Sequence, residues 1–311
     1  MTTRKERRTE KQNKSNKKKI IMTTAGVLLV ALLAFGAYLY LKVGDTVEAM
    51  YTPLESDKNR DVASALENEE SINILLLGVD KREGDKGRSD TMMLLSLNPH
   101  TNEMLKFNIP RDTYVEIPGV GMDKINHAYA FGGSDLSVRT VENFLDTTVH
   151  YYAKINMEGL VDVVDAMGGI TVQNDIHLTR KEYDFPKGEL TLSGQEALIY
   201  TRIRKEDPRG DLGRNDRQQK VINAFIEKAS SVSSVTKVDP ILDAAGENAE
   251  SNVDMATIRA LFKDYRSTRN NQEKEFIEGS GKMMGGVWYY VVPDSEIIRL
   301  RDKLTQHMEA R

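Results

Sequence analysis

The 311 residues are 40% hydrophobic and 29% charged with a net charge of −4, a balance that excludes a disordered chain. That length leaves room for one large domain, or two small ones with appendages. Basic charge is concentrated in residues 1–19, which hold nine Lys or Arg against Glu6 and Glu10, so the remainder is acidic and nucleic acid is not the expected partner.

Directly after the basic tail, residues 20–41 run without a charge. At about 1.5 Å per helical residue this is long enough to cross roughly 30 Å of bilayer hydrocarbon. The run exceeds the apolar region of a cleavable signal, and Tyr38, Tyr40 and Lys42 at its far end read as an interfacial anchor. Basic residues stay in the cytoplasm, so the expected topology is a cytoplasmic tail (1–19), one transmembrane helix (20–41) and an extracytoplasmic remainder. The expectation is a single-pass protein of the cell membrane, and the absence of cysteine fits an outer domain that does not rely on disulfides.

Residues 42–70 are polar and rich in charge and read as a stalk, with the domain starting near Ser71. Residues 72–79, INILLLGV, form an almost unbroken apolar run that predicts a strand buried on both faces, with Asp80 at its carboxyl end. Residues 91–97 and 104–109 are further strands, joined as a hairpin by the turn cluster Asn98, Pro99, His100, Thr101 and Asn102. Ser134 or Asp135 is the expected cap of a helix through Leu145, and residues 157–167 predict a second helix stopped by Gly168 and Gly169 before a strand at 170–172. Ser193 and Glu196 make a capping box for a helix through Tyr200, and residues 212–229 carry an amphipathic stripe of Val221, Ile222, Phe225 and Ala229. Residues 231–252 read ambiguously, 255–265 as helix, 285–292 as strand, and a last helix starts at Asp294. Strands alternating with helices predict an α/β fold, a three-layer α-β-α sandwich on a mixed sheet. The expected core spans 71–230, with 231–311 expected as a C-terminal extension packed on it.

Four charged clusters follow these strands. They are Gly78 to Arg82 with Gly87-Arg88-Ser89-Asp90, then Ile109-Pro110-Arg111-Asp112, then Asp123-Lys124-Ile125-Asn126-His127, and the dense run from Tyr200 to Gln218. Open α/β sheets bind ligands at the carboxyl ends of their strands, which makes such residues site candidates rather than random surface. Guanidinium forks match phosphate oxygens in pairs, so several arginines together suit a pyrophosphate. Arg202 and Arg204 lie two apart and share a face if extended, while Arg214, Arg217 and Gln218 share one face of a helix near its N-terminal end. Asp80 and Asp90 are the metal candidates, since carboxylate oxygens beside phosphate suit Mg2+. One Arg–Asp pair alone is more often a surface ion pair. Four clusters at strand ends shift that balance toward an anion site.

Other chemistries fit less well. No His or Cys cluster offers a zinc site, Ser89 and Ser193 lack a His and Asp arrangement, and Gly84 to Gly87 lacks the Lys-Ser/Thr ending of a phosphate loop. His127 beside Asn126 is a lone histidine, which more often serves structure than catalysis.

The same segments resemble the LytR-CpsA-Psr family. The resemblance rests on the tail and anchor and on G-V-D, R-S-D-T, I-P-R-D, K-I-N-H-A-Y-A-F-G-G and Y-T-R-I-R-K-E-D-P-R-G-D-L-G-R-N-D-R-Q-Q, over residues 72–230. With V-E-N-F-L-D at 141–146, the pattern is similar to the subgroup that attaches wall teichoic acid to peptidoglycan. The resemblance implies transfer of a phospho-glycopolymer from a polyprenyl-pyrophosphate carrier to a peptidoglycan acceptor. It implies Mg2+, or Mn2+ in its place, on Asp80 and Asp90, and phosphates held by Arg82, Arg88, Lys124, Arg202, Arg204, Arg214, Arg217 and Gln218. Arg111, Asp90 and Asp211 would take the catalytic roles. A sister transferase for capsular or teichuronic polymer, and a regulator or polyprenyl-phosphate binding module without turnover, are the alternatives.

Overall fold

The apolar run INILLLGV has no polar face to present to water, and it becomes β1 (Ile72–Asp80), an interior strand of a six-stranded sheet. The sheet order is β11 (Ala249–Ser251), β6 (Tyr151–Asn156), β1, β2 (Arg88–Asn98), β3 (Glu103–Ile109) and β12 (Gln272–Phe276). Residues 37–38, 40–59, 62–80, 87–231 and 238–311 are described by the structure, a computed structural model of the chain. The anchor expected over 20–41 lies almost wholly outside them, and no helix among the described residues is long and apolar enough to cross a membrane.

β1 pairs antiparallel with β2 and parallel with β6, while β3 pairs antiparallel with β2 and parallel with β12. The sheet is therefore mixed, and β1, β3, β6 and β12 all end at the edge where β2 begins. The hairpin expected from 91–109 is the β2–β3 pair.

Alternation along the strands sorts the core into two faces. Leu75, Leu77, Leu94, Leu105 and Phe107 pack with Val138, Val141 and Leu145 of the helix His127–Leu145, and with Leu300 and Leu304 of Asp294–Glu309. Met93 and Leu95 point the other way, onto Ile222 of the helix Asp211–Ser231. Ile72 and Leu97 share that second face with Ala65 of Val62–Glu67 and with Leu261 of Met255–Asp264. In chain order these helices are α1 (Val62–Glu67), α2 (His127–Leu145), α3 (Met157–Ala166), α4 (Gly194–Arg202), α5 (Asp211–Ser231), α6 (Val238–Asn248), α7 (Met255–Asp264) and α8 (Asp294–Glu309). Helices cover both faces, so the architecture is mixed α/β with a central mixed sheet.

Beside the sheet, α3, α4 and α5 enclose a second core with the hairpin of β7 (Ile170–Asn174) and β10 (Gly188–Leu192) and the small pair β8 (Leu178–Arg180) and β9 (Tyr183–Phe185). The expected Ser193–Glu196 capping box is present on α4. α2 starts at His127, well before the expected cap at Ser134 or Asp135. Gly132 and Gly133 leave helical geometry inside it, with φ +64° at Gly133, a conformation that suits a residue without Cβ. The expected start therefore marks the segment after that break.

Two boundaries differ from the sequence reading. β11 and β12, both beyond residue 231, are strands of the central sheet itself, so the C-terminal segment is woven into the core rather than laid on it. Leu54, expected in a stalk, is buried in the main cluster, and Thr52 N donates to Ser251 O at 2.7 Å. Residues 46–311 form one compact unit.

Candidate active site

At the edge where the parallel strands end, a cleft opens between β2, the end of β3, α5 and β14 (Val287–Val291), the second strand of a hairpin with β13 (Ser280–Met284). Its lining is Asp90, Thr91, Met92, Ile109, Pro110, Arg111, Asp112, Asp216, Gln218, Gln219, Trp288 and Tyr290. Pro110 has no N–H to continue the ladder, so β3 stops there. The chain turns, with Thr113 N and Oγ1 both donating to Pro110 O at 3.0 and 2.6 Å, and the turn carries Arg111 and Asp112 out of the strand end.

Charges alternate through the cleft. Arg111 Nη1 lies 3.0 Å from Asp90 Oδ1, and its Nε lies 3.4 Å from Asp112 Oδ2. Asp112 Oδ1 in turn holds Lys124 Nζ at 2.7 Å, and Asn126 Nδ2 donates to Asp90 Oδ1 at 3.3 Å. Lys124 ends β5 (Gly121–Lys124), the partner of β4 (Tyr114–Ile117), and Asn126 N donates to Arg111 O at 3.2 Å, so main chain and side chains fix the same corner. These four charged side chains are at most 17% exposed, low enough for their mutual attraction to be weakly screened.

α5 supplies the opposite wall. Arg217 is fully buried and points inward: its Nε donates to Tyr200 O at 3.1 Å, Nη2 to Ile203 O and Nη1 to Asp207. This corrects its reading as a phosphate ligand, because the guanidinium is committed to the last turn of α4 and the loop that follows it. Burial works to raise the Asp207 carboxyl, but the N–H of Arg209 and the guanidinium groups of Arg217 and Arg209 outweigh it and hold the acid below its ordinary range. One position further along, Gln218 lines the cleft, and Arg214, half-buried, lies one turn before it.

The structure thus brings Asp90, Arg111 and Gln218 to one cleft, with Lys124 behind Asp112. Arg88 opens β2 opposite Asp80 and is exposed. Arg202 and Arg204 do not share an extended segment: Arg202 is the last residue of α4, its carbonyl taking Arg180 Nη1 at 2.6 Å, and Arg204 follows in an exposed loop. Arg82 lies outside the described residues, as do the side chains of Asp80, which closes β1, and Asp211, which opens α5. In the sequence, Asp112 and Asp216 stand out only as neighbours of Arg111 and Arg217. Trp288 and Tyr290, far along the chain, carry no signal beyond a strand pattern.

Among the described residues no three His, Cys, Asp or Glu converge as a metal cage. The cleft and its corner do offer hard oxygen donors: the Asp90 carboxylate, and the buried amide oxygens of Asn126 and Gln218, which have no hydrogen-bond partner among the described residues. That set fits a cation which takes one or two carboxylates and completes its shell with water and phosphate, as Mg2+ does.

Fold and cleft define a mixed α/β protein with an arginine and carboxylate site at the carboxyl ends of its parallel strands. The family description LytR_cpsA_psr matches residues 37–306, and the chain belongs to that family. It is 45% identical, over 97% of its length and 98% of the relative's, to the polyisoprenyl-teichoic acid–peptidoglycan teichoic acid transferase TagU of Oceanobacillus iheyensis. The crystal structure of B. subtilis TagU superposes with a TM-score of 0.63 at 40% identity, covering 78% of this chain and 98% of that one. A structure described as TagT bound to LIIa-WTA superposes at 0.66 with 30% identity, covering 83% and 99%.

Proposed function

We propose that this chain transfers a phospho-glycopolymer, wall teichoic acid, from a polyprenyl-pyrophosphate carrier to peptidoglycan and releases polyprenyl phosphate. Full-length similarity to transferases named for that reaction supports the substrate class. The observation that carries the chemistry is Arg111, held between Asp90 and Asp112 at the mouth of the strand edge.

A hydroxyl oxygen of the acceptor glycan attacks the phosphorus on the polymer side. The new O–P bond forms as the bond to the bridging oxygen breaks, and polyprenyl phosphate leaves with that oxygen. Negative charge spreads over the transferring group and the leaving oxygen, and stabilising it is most of the catalytic task. Arg111 enters this step already oriented by two carboxylates, so little reorganisation is needed when phosphate arrives. Arg88, Lys124, Arg202, Arg204, Arg214 and Gln218, with Arg82, are the proposed partners of the remaining phosphate oxygens. The hydroxyl proton passes to a carboxylate, Asp90 or Asp211. Mg2+, or Mn2+, bound at Asp80 and Asp90 would neutralise phosphate charge.

The charge-free run 20–41 behind a basic tail supports a single anchor helix with the domain outside the membrane. Enzyme and lipid donor then search one surface in two dimensions.

The test is a lipid-linked teichoic acid donor incubated with peptidoglycan and full-length protein, reading polyprenyl phosphate release. Arg111→Ala is expected to cut release by about a hundredfold or more, the loss seen when a preorganised charge stabiliser is removed. Donor binding without turnover by the native chain would mark a binding module or regulator instead. Preference for capsular or teichuronic donors would mark a sister transferase.

A further inference from the structure

Trp288 and Tyr290 lie two apart on β14, so both rings leave the same face of the strand, and both line the cleft beside Arg111. Their centroids are 6.5 Å apart with planes tilted by 37°. The intervening Tyr289 projects oppositely and meets Tyr114 edge-on at 4.8 Å, with Lys124 Nζ 5.7 Å from its centroid, which docks the hairpin on β4 and β5. Tyr290 N donates to Asp112 O at 2.8 Å, and its hydroxyl donates to Ile277 O at 2.9 Å. The aromatic wall is therefore tied to the same corner that holds Arg111.

The facing strand makes room for the rings. A Cβ on Gly281 would lie 2.7 Å from Trp288 Nε1 and 2.9 Å from its Cζ2, and one on Gly279 would lie 2.7 Å from Tyr290 Cε1. The indole consequently lies across the glycine backbone of β13 and stays 37% exposed instead of folding into a core. A large aromatic left open to water in a cleft forgoes burial free energy, as binding surfaces do.

Resting on the transfer reading above, we infer that Trp288, backed by Tyr290, is a stacking platform for a pyranose ring of the glycan whose phosphate meets Arg111. A pyranose presents C–H groups on its face and hydroxyls on its rim. The C–H groups meet the electron-rich face of the indole. The hydroxyls meet the carboxylates and amides of Asp112, Asp216, Gln218 and Gln219, which line the same cleft and can accept or donate. The ring belongs either to the polymer on the donor or to the acceptor strand.

Trp288 is the single tryptophan of the chain, so intrinsic fluorescence reports on this one position. The full-length protein is titrated with three probes: a short-chain polyprenyl pyrophosphate without sugar, the same molecule bearing a disaccharide, and a soluble peptidoglycan oligosaccharide, with calorimetry measuring binding in parallel. A saturable shift of emission with one sugar-bearing probe, absent with the sugar-free one, is expected, and the responding probe names the source of the ring. Sugar-bearing probes that bind by calorimetry without moving the emission overturn the platform and leave the transferase standing. An equal shift with the sugar-free probe also overturns it, since the signal then reports phosphate. Failure of all three to bind overturns the transfer reading and this inference together. In kinetics, Trp288→Ala is expected to raise KM for the responding substrate by about tenfold, the scale of one lost aromatic contact, with kcat nearly constant and Trp288→Phe restoring most of it. An unchanged KM in a folded Trp288→Ala protein also counts against the platform.

Discussion

Arg217 and Asp207, both sealed from water, form an ion pair that locks the loop after α4 to the first turns of α5. Tyr200 O and Ile203 O take the other guanidinium donors, and Arg209 N donates to Asp207 at 2.7 Å, so the pair is hydrogen-bonded on both sides. Removing one partner of such a pair strands the other charge in the interior. Arg217→Ala is expected to cost about 3–5 kcal/mol in urea denaturation, the usual scale for an orphaned buried charge. Gly213→Ala should be damaging for a related reason, since its Cβ would fall on the Asp207 carboxylate. The folded acid lies below its ordinary 3.8, so its stabilisation is present above that pH and is lost as pH falls through the lower folded value. Asp207→Asn should flatten that acid limb of the stability curve, and an unchanged limb would refute the assignment.

Arg111→Lys is expected to behave almost as poorly as Arg111→Ala in kcat/KM. The guanidinium pairs with Asp90 through Nη1 at 3.0 Å and sets Nε at an ion-pair distance of 3.4 Å from Asp112, so one plane faces two carboxylates at once, which a single ammonium cannot reproduce. Near-native transfer by the Arg111→Lys protein would mean that only a positive charge is needed there.

The strands were legible because their chemistry is local. INILLLGV and the turn at Asn98 to Asn102 have few alternatives, and β1, β2 and β3 follow. Asp90 and Arg111 were legible because each adjoins the end of an apolar strand. What failed depended on distant partners. Arg217 resembles Arg214 in sequence, and only the carbonyls of Tyr200 and Ile203 and the carboxylate of Asp207 turn it inward. The extended pairing of Arg202 with Arg204 failed because α4 continues through Arg202. Trp288 enters the cleft through a hairpin docked on Tyr114 and Asp112, contacts between segments far apart in the chain.

Chelation of divalent metal is expected to stop transfer, with Mg2+ or Mn2+ restoring it. Asp90→Asn should raise the metal concentration needed for half-maximal rate, because a neutral amide replaces the charged oxygen donor at the cleft. Isothermal titration of metal into the native and Asp90→Asn chains, in the presence of a pyrophosphate probe, checks this directly. Equal metal affinity in both would remove Asp90 from the cation site.

His307 couples the docking of α8 to pH. Its Nε2 lies 3.1 Å from Ser96 O, and Asn98 Nδ2 donates to the His307 carbonyl at 2.6 Å, so the end of α8 is fastened to β2. Burial lowers the imidazole below its ordinary 6.5, against the opposing pull of the Ser96 carbonyl. A histidine with a depressed folded pKa is protonated first in the unfolded chain as pH drops below 6.5, so stability present above that value declines through the window beneath it. The native protein should therefore lose Tm between about pH 7.5 and about pH 5.5, two settings that bracket the unperturbed imidazole at about 6.5. His307→Gln keeps a donor for Ser96 O but does not titrate, and its Tm should fall less over the same interval. Parallel slopes for the two proteins would place the pH dependence elsewhere in the fold.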